Sequence, residues 1–135
     1  MDFKTIFNKK QQIHRFHTKI MEKSEGKIQA EIVTFFRNTY CLKFHKPRYC
    51  IFSVPNERKD RKELSKMIGT GLYGGVSDLI VTIPNKVLFI EVKDAKGTQQ
   101  PNQKDFEKTI NDLNLNYYVV RSLEEFQTLI NTYLQ

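Results

Sequence analysis

The chain has no tryptophan, only two cysteines among its 135 residues, and no run approaching the roughly 18 to 20 consecutive apolar residues that a membrane span requires. A membrane-spanning protein is therefore not expected. The opening MDFKTIFNKKQQ also lacks the apolar core of a secretory signal, so the expectation is a soluble, cytoplasmic protein. Cys41 and Cys50 are too few for a disulfide framework, and free thiols are the commoner outcome. There is no internal repeat, no low-complexity tract and no Pro/Gly/Ser linker. With 39% hydrophobic content, the length suits one core and not two.

Acidic residues are also in deficit, at 15 against 22 Lys and Arg, for a net charge of +7. The imbalance is local: residues 1–62 hold 15 basic and 6 acidic side chains, whereas residues 63–135 hold 7 and 9. A basic first half favours a polyanion, either nucleic acid or an acidic membrane, over an acidic partner. A solvated basic face with no specific partner is the plain alternative.

Periodicity then predicts the elements. Phe3, Ile6, Phe7, Ile13, Phe16 and Ile20 recur at loosely helical spacing among basic and polar residues, which predicts a basic amphipathic helix in an extension over residues 1–25. After the break at Ser24 to Gly26, Ile28, Ile32, Phe35 and Phe36 form a firmer stripe, with Glu31 beside it, opening the main domain over residues 26–135. A strand is predicted over Tyr49 to Val54, a helix over Arg58 to Ile68, strands over Asp78 to Ile83 and Val87 to Val92, and a helix from Pro101 or Asn102. A strand over Tyr117 to Val120 and a helix opened by the capping box Ser122-Leu-Glu-Glu125 complete the chain. The pattern is a layered α/β domain, with a mixed central sheet covered by helices on both faces.

Asp78 opens one strand of the central hairpin, while Glu91 and Lys93 close the other, so all three gather at one end. Glu91 and Lys93 share a face by the two-residue period of a strand. For Asp78 to join them the hairpin needs a two-residue turn. A type I′ turn over Asn85-Lys86 is expected, placing residue 80 opposite 91 and 78 opposite 93. Two carboxylates at one point suit a hard divalent cation such as Mg²⁺, which takes carboxylates together with waters and phosphate oxygens. The Val92 carbonyl, between the two key side chains, is a further candidate ligand. Lys93 would orient an attacking water or offset charge building on a phosphate. Cross-strand charge pairing on an exposed strand is the bland explanation of the same residues. Against it stand the apolar run Val87-Leu-Phe-Ile90 before Glu91, and Gly74-Gly75 shortly before the acid, where backbone or substrate comes close.

Ser53-Val-Pro-Asn56, Gly74-Gly-Val-Ser-Asp78-Leu, Phe89-Ile-Glu91-Val-Lys93, Gln103 within Pro-Asn-Gln-Lys-Asp-Phe, and Tyr118-Val-Val-Arg-Ser-Leu-Glu-Glu-Phe126 resemble, in order and spacing, the VRR-NUC domain of the PD-(D/E)xK nuclease superfamily. The resemblance runs from about Gly26 to the C-terminus. It implies a restriction-endonuclease-like core and a metal-dependent DNA endonuclease of bacterial or phage origin. Asp78 and Glu91 would bind Mg²⁺ or Mn²⁺, Lys93 would be catalytic, and Glu31 and Gln103 would support the site, Glu31 as a further metal ligand. Members of this kind that stand alone resemble Holliday junction resolvases, which implies a homodimer acting on branched DNA. Read without the family, Glu31 is a polar residue flanking a helix stripe and Gln103 belongs to a helix's first turn.

Other readings stay open. A nuclease for linear or flap DNA, a nucleic-acid-binding module without catalysis, and a basic peripheral membrane protein anchored by residues 3–20 all fit part of the pattern, though the last lacks an aromatic-rich insertion face. His14 and His17 with Cys41 and Cys50 do not have common zinc-site spacing. Lys9, Lys10, Arg15, Lys19, Lys23 and Lys27 are better read as a strip on DNA phosphates or an ordinary solvated helix face. The charged tract over residues 57–63 is expected in a loop near the substrate.

Overall fold

The computed structural model of the chain describes residues 22–55 and 60–135. The helix expected within residues 3–20, His14, His17, four of the six basic residues of the strip and the first residues of the helix expected from Arg58 lie outside them.

Helix α1 spans Glu25–Tyr40, capped by Ser24, whose Oγ accepts from the Lys27 N–H at 3.2 Å. Ile28, Ile32 and Phe36 are buried along it, one face of a 3.6-residue helix, while Phe35 is only partly covered. Strand β1, Cys50–Ser53, is one residue shorter than expected at each end. Helix α2, Arg61–Gly69, starts at Asp60, whose Oδ1 accepts from the N–H groups of Lys62 and Glu63, and it buries none of its residues. Strands β2, Leu79–Ile83, and β3, Lys86–Val92, form the hairpin. Helix α3, Pro101–Asp112, leads to β4, Asn116–Val120, and α4, Leu123–Leu134, ends the fold.

The end of α3 shows why so short a connection suffices. Asn114 adopts φ 55°, its N–H bonds to the Asn111 carbonyl, and the Leu115 N–H bonds to the Ile110 carbonyl. This is a Schellman stop with Asn in the left-handed position, and β4 begins two residues later. At the start of α4, Ser122 Oγ accepts from the Glu125 N–H as expected, but Glu125 Oε2 reaches back to the N–H of Arg121.

The sheet order is β1-β2-β3-β4, antiparallel between the first three strands and parallel between β3 and β4, with α3 as the crossover. One face packs on α1 and α4 through Ile32, Phe36, Phe126 and Ile130, the two phenylalanine rings meeting edge to face at 6.0 Å. The other packs on α3 through Phe106 and Ile110 against Phe89 and Tyr117. This is the mixed sheet with helices on both faces that the pattern predicts.

The hairpin register differs from expectation. Ile83 pairs with Lys86 and Ile80 with Phe89, so the two-residue turn is Pro84-Asn85 and not Asn85-Lys86. Proline explains the shift. Its ring fixes φ near −65° and removes an N–H, which suits the first central position of a turn and not a paired flanking site. Asn85 takes the positive φ, 58°, at the second position, the combination of a type II turn in place of type I′. The pairing sum moves by two residues, so every side chain keeps its face, and Asp78 falls opposite Glu91 instead of Lys93.

Candidate active site

Because side chains alternate along β3, Ile90 and Val92 enter the core beneath α1 and α4, while Glu91 and Lys93 point toward the α3 side. Glu91 is 0% exposed. Its Oε1 is engaged twice, accepting from Gln103 Nε2 at 2.7 Å and pairing with Lys93 Nζ at 3.2 Å. Its Oε2 is buried with no hydrogen-bond partner among the described residues. A buried, unpartnered carboxylate oxygen is costly and calls for an explanation.

Asp78 lies just before β2. Its Oδ2 accepts from the Val92 N–H at 2.8 Å, and its own carbonyl accepts from the Val54 N–H at 3.1 Å. The acid is thereby tied to both neighbouring strands, with Oδ1 left for another partner. Burial, and then the charge of Asp78, push the Glu91 carboxyl up to about 7, against the opposing pull of Lys93. Two carboxylates side by side resist holding two negative charges until a cation joins them.

Gln103 is held by α3's own start. Its Oε1 accepts from the backbone N–H of Gln100 at 2.8 Å. A backbone N–H only donates, so the amide's oxygen must face it and the NH₂ must face Glu91. Gly75 sets the approach of the loop before Asp78. It has φ +85°, and a Cβ there would sit 2.3 Å from the Asn102 carbonyl oxygen in α3's first turn. The expected close approach at this glycine pair is thus to backbone.

The expected site residues are not all brought together. Asp78, Glu91, Lys93, Gln103 and the backbone of Val92 meet at one end of the hairpin. Glu31 instead engages Lys23 Nζ at 2.9 Å. The α1 carboxylate at the site is Glu25, whose Oε1 lies 4.0 Å from Lys93 Nζ and whose charge also raises the Glu91 carboxyl. Helical geometry carries the signal for this residue: positions 25, 28, 32 and 36 run down one face, whereas position 31 is about 100° from its neighbour Ile32 around the axis. Arg121 is a second residue not anticipated for the site. Its Nη1 donates to the carbonyls of Asp94 at 2.6 Å and Gly97 at 2.8 Å, pinning the loop that follows Lys93. A Cβ at Gly97 would be 2.8 Å from Glu25 Oε1, so this loop and α1 are closely seated.

Among the described residues, no three His, Cys, Asp or Glu side chains converge as a ready metal cage. Cys41 and Cys50 are free thiols. Of the basic strip, Lys23 is paired with Glu31, and Lys27 is exposed. No helix among the described residues is long and apolar enough to cross a membrane.

An α/β/α sandwich with an acid facing a Glu-x-Lys strand end is the arrangement of a restriction-endonuclease-like core. By sequence, no protein-family model and no curated protein matches the chain. By structure, it is similar to a solved "VRR_NUC domain protein", with TM-score 0.66 and 19% identity over 84% of this chain and 89% of that one. It is also similar to a solved "VRR_NUC domain", with TM-score 0.55 and 21% identity over 82% of this chain and 99% of the other. The chain has the VRR_NUC fold.

Proposed function

We propose that the chain is a metal-dependent DNA endonuclease that hydrolyses phosphodiester bonds at the end of the β2–β3 hairpin. The observation that carries this reading is the buried, unpartnered Glu91 Oε2 beside the Asp78 carboxylate. The donor set fits a hard cation, because both candidate groups are carboxylates and Mg²⁺ commonly takes one or two of them, completing its octahedron with water and phosphate oxygens. Asp78 and Glu91 would hold Mg²⁺ or Mn²⁺, with the Val92 carbonyl as a further oxygen. When bound, such an ion neutralises charge on the phosphate and lowers the pKa of a coordinated water.

The remaining residues have roles of their own. Gln103 fixes Glu91 so that Oε2 is the free oxygen, and Val92 does the same for Asp78 by occupying Oδ2. Lys93, held against Glu91, presents N–H donors to a water or a phosphate oxygen. Glu25 faces the same ammonium group and helps to orient it. The net charge of +7 supports attraction of DNA to a centre that is itself acidic. We extend the reading to branched DNA of the Holliday junction type and to a homodimer, since cutting a symmetric branch takes two active sites related by a two-fold axis.

The test is incubation of the wild type and Lys93→Ala with four-way, flap and linear DNA in Mg²⁺ and in Mn²⁺. The expected result is cleavage that requires the metal, favours the branched forms and falls about 100-fold or more in the variant. A chain that binds these DNAs but cuts none at any metal concentration is a non-catalytic binding module. Sedimentation as a monomer, both free and on junction DNA, removes the dimer.

A further inference from the structure

The sheet face that bears Asp78 and Glu91 also bears a row of large side chains one pleat away. Phe52 on β1 pairs with Ile80 on β2, Ile80 with Phe89 on β3, and Phe89 with Tyr117 on β4. These four cross the sheet side by side. Asp78 and Glu91 lie two residues further along β2 and β3, about 7 Å from the row.

Helix α3 roofs only one end of this row, where Phe106 packs on Phe89 at 5.6 Å and on Tyr117 at 6.0 Å. At the other end Phe52 is 45% exposed. Tyr73, in the loop between α2 and β2, rests its ring against Phe106 at 5.9 Å, yet is itself 52% exposed. The loop beneath it is fixed by the close seating of Gly75 on Asn102. Phe106 lies three residues beyond Gln103, a rise of about 4.5 Å on the same helix, so Tyr73 is buttressed by the element that orients Glu91. Between Phe52 and Tyr73 in the chain comes α2, which carries exposed Arg61, Lys62 and Lys66 and buries nothing.

A half-exposed ring braced by the helix that orients Glu91, a second exposed ring at the far end of a row that passes about 7 Å from Asp78 and Glu91, and exposed cations on the helix between the two in sequence make a combination suited to single-stranded nucleic acid. A scattered surface aromatic would lack the brace that Phe106 gives Tyr73. We propose that Tyr73, together with Phe52, is a stacking platform for unpaired nucleobases of the DNA strand next to the scissile phosphate. The proposal rests on the nuclease reading and specifies its substrate as DNA whose duplex is interrupted beside the cut. Stacking uses the face of any base, so the platform selects for strand state and not for sequence.

The experiment uses the full chain and two DNAs of equal length, one with an unpaired flap carrying 2-aminopurine and one fully paired with the same base analogue. Affinities are measured by anisotropy in Ca²⁺, and cleavage of both is measured in Mg²⁺. The expected result is quenching of the unpaired analogue on binding, with an affinity ratio of unpaired to paired DNA that falls about tenfold in Tyr73→Leu and in Phe52→Ala. Leu keeps apolar cover over Phe106 but removes the flat ring, and Tyr73→Phe, which restores the ring, retains the wild-type ratio. If the wild type cuts DNA and Tyr73→Leu has an unchanged ratio, the platform is overturned and the nuclease stands. If the wild type neither binds nor cuts either DNA, the nuclease reading falls and takes the platform with it.

Discussion

Gln103 and Glu91 are joined by one hydrogen bond of 2.7 Å, and the Gln100 N–H on the amide's other end gives that bond a direction. A helix start and a strand end thus share one side chain. Replacing Gln103 by Ala frees Glu91 to turn its open oxygen away, and should lower metal affinity or activity 10- to 100-fold, the usual effect of losing a group that orients a ligand. Mg²⁺ titration of the cleavage rate measures it. Gln103→Glu, which sets a third negative charge against Glu91, should be worse than Ala at neutral pH.

Glu91 makes stability depend on pH. Burial, and then the charge of Asp78, push its carboxyl from an ordinary 4.5 up to about 7, so the folded state holds the proton more tightly than the unfolded one between those values. Without a divalent cation, stability is full below about pH 4.5 and falls by up to about 3 kcal/mol as pH rises through 7. Urea denaturation in chelator from pH 5 to 8 should show this slope. Glu91→Gln should flatten it, and a slope unchanged by that variant would refute the assignment.

Glu25 and Glu31 separate cleanly by mutation. Glu25→Ala removes the carboxylate that faces Lys93 and should cut activity about tenfold or more. Glu31→Ala removes only a partly exposed ion pair with Lys23, worth about 0–1 kcal/mol of stability, and should leave turnover within about twofold. Parallel cleavage assays and thermal melts decide between them, and the reverse ranking would restore Glu31 to the site.

Gly74 and Gly75 are adjacent and should respond unequally to alanine. At Gly75 a Cβ meets backbone at 2.3 Å and the φ is +85°, so Gly75→Ala should cost about 3 kcal/mol or more. At Gly74 the nearest atom is the Asn102 side-chain nitrogen at 3.6 Å, ordinary contact, and Gly74→Ala should be nearly neutral. Denaturation midpoints are the measurement.

The elements were legible where burial enforces a period. The α1 stripe, the hairpin strands and the capping box before α4 stand close to their expected places, and even parity about the hairpin was enough to put Asp78 on the same face as Glu91. The exact register is less legible, because Asn85-Lys86 and Pro84-Asn85 both make a two-residue turn of the right parity and only proline's preference for the first central position separates them. Glu25 is hard to see in the sequence because Ser24 to Gly26 has the composition of a break, whereas Ser24 is a cap and the helix starts directly after it. Arg121 lies within one of the segments that carry the resemblance, but nothing local to it gives it a role. Its partners are carbonyls 24 and 27 residues away, and only tertiary structure brings a side chain to so distant a backbone.

The seating of α3 has a last consequence. One end of its inward face grips Glu91 and the next turn braces Tyr73, so a carboxylate and an aromatic ring ride on a single rigid rod. A base stacked on Tyr73 and a cation held by Glu91 would each bear on the same helix. If both bind, thermodynamic reciprocity requires that whatever factor the cation adds to the grip on an unpaired base, that base returns to the grip on the cation.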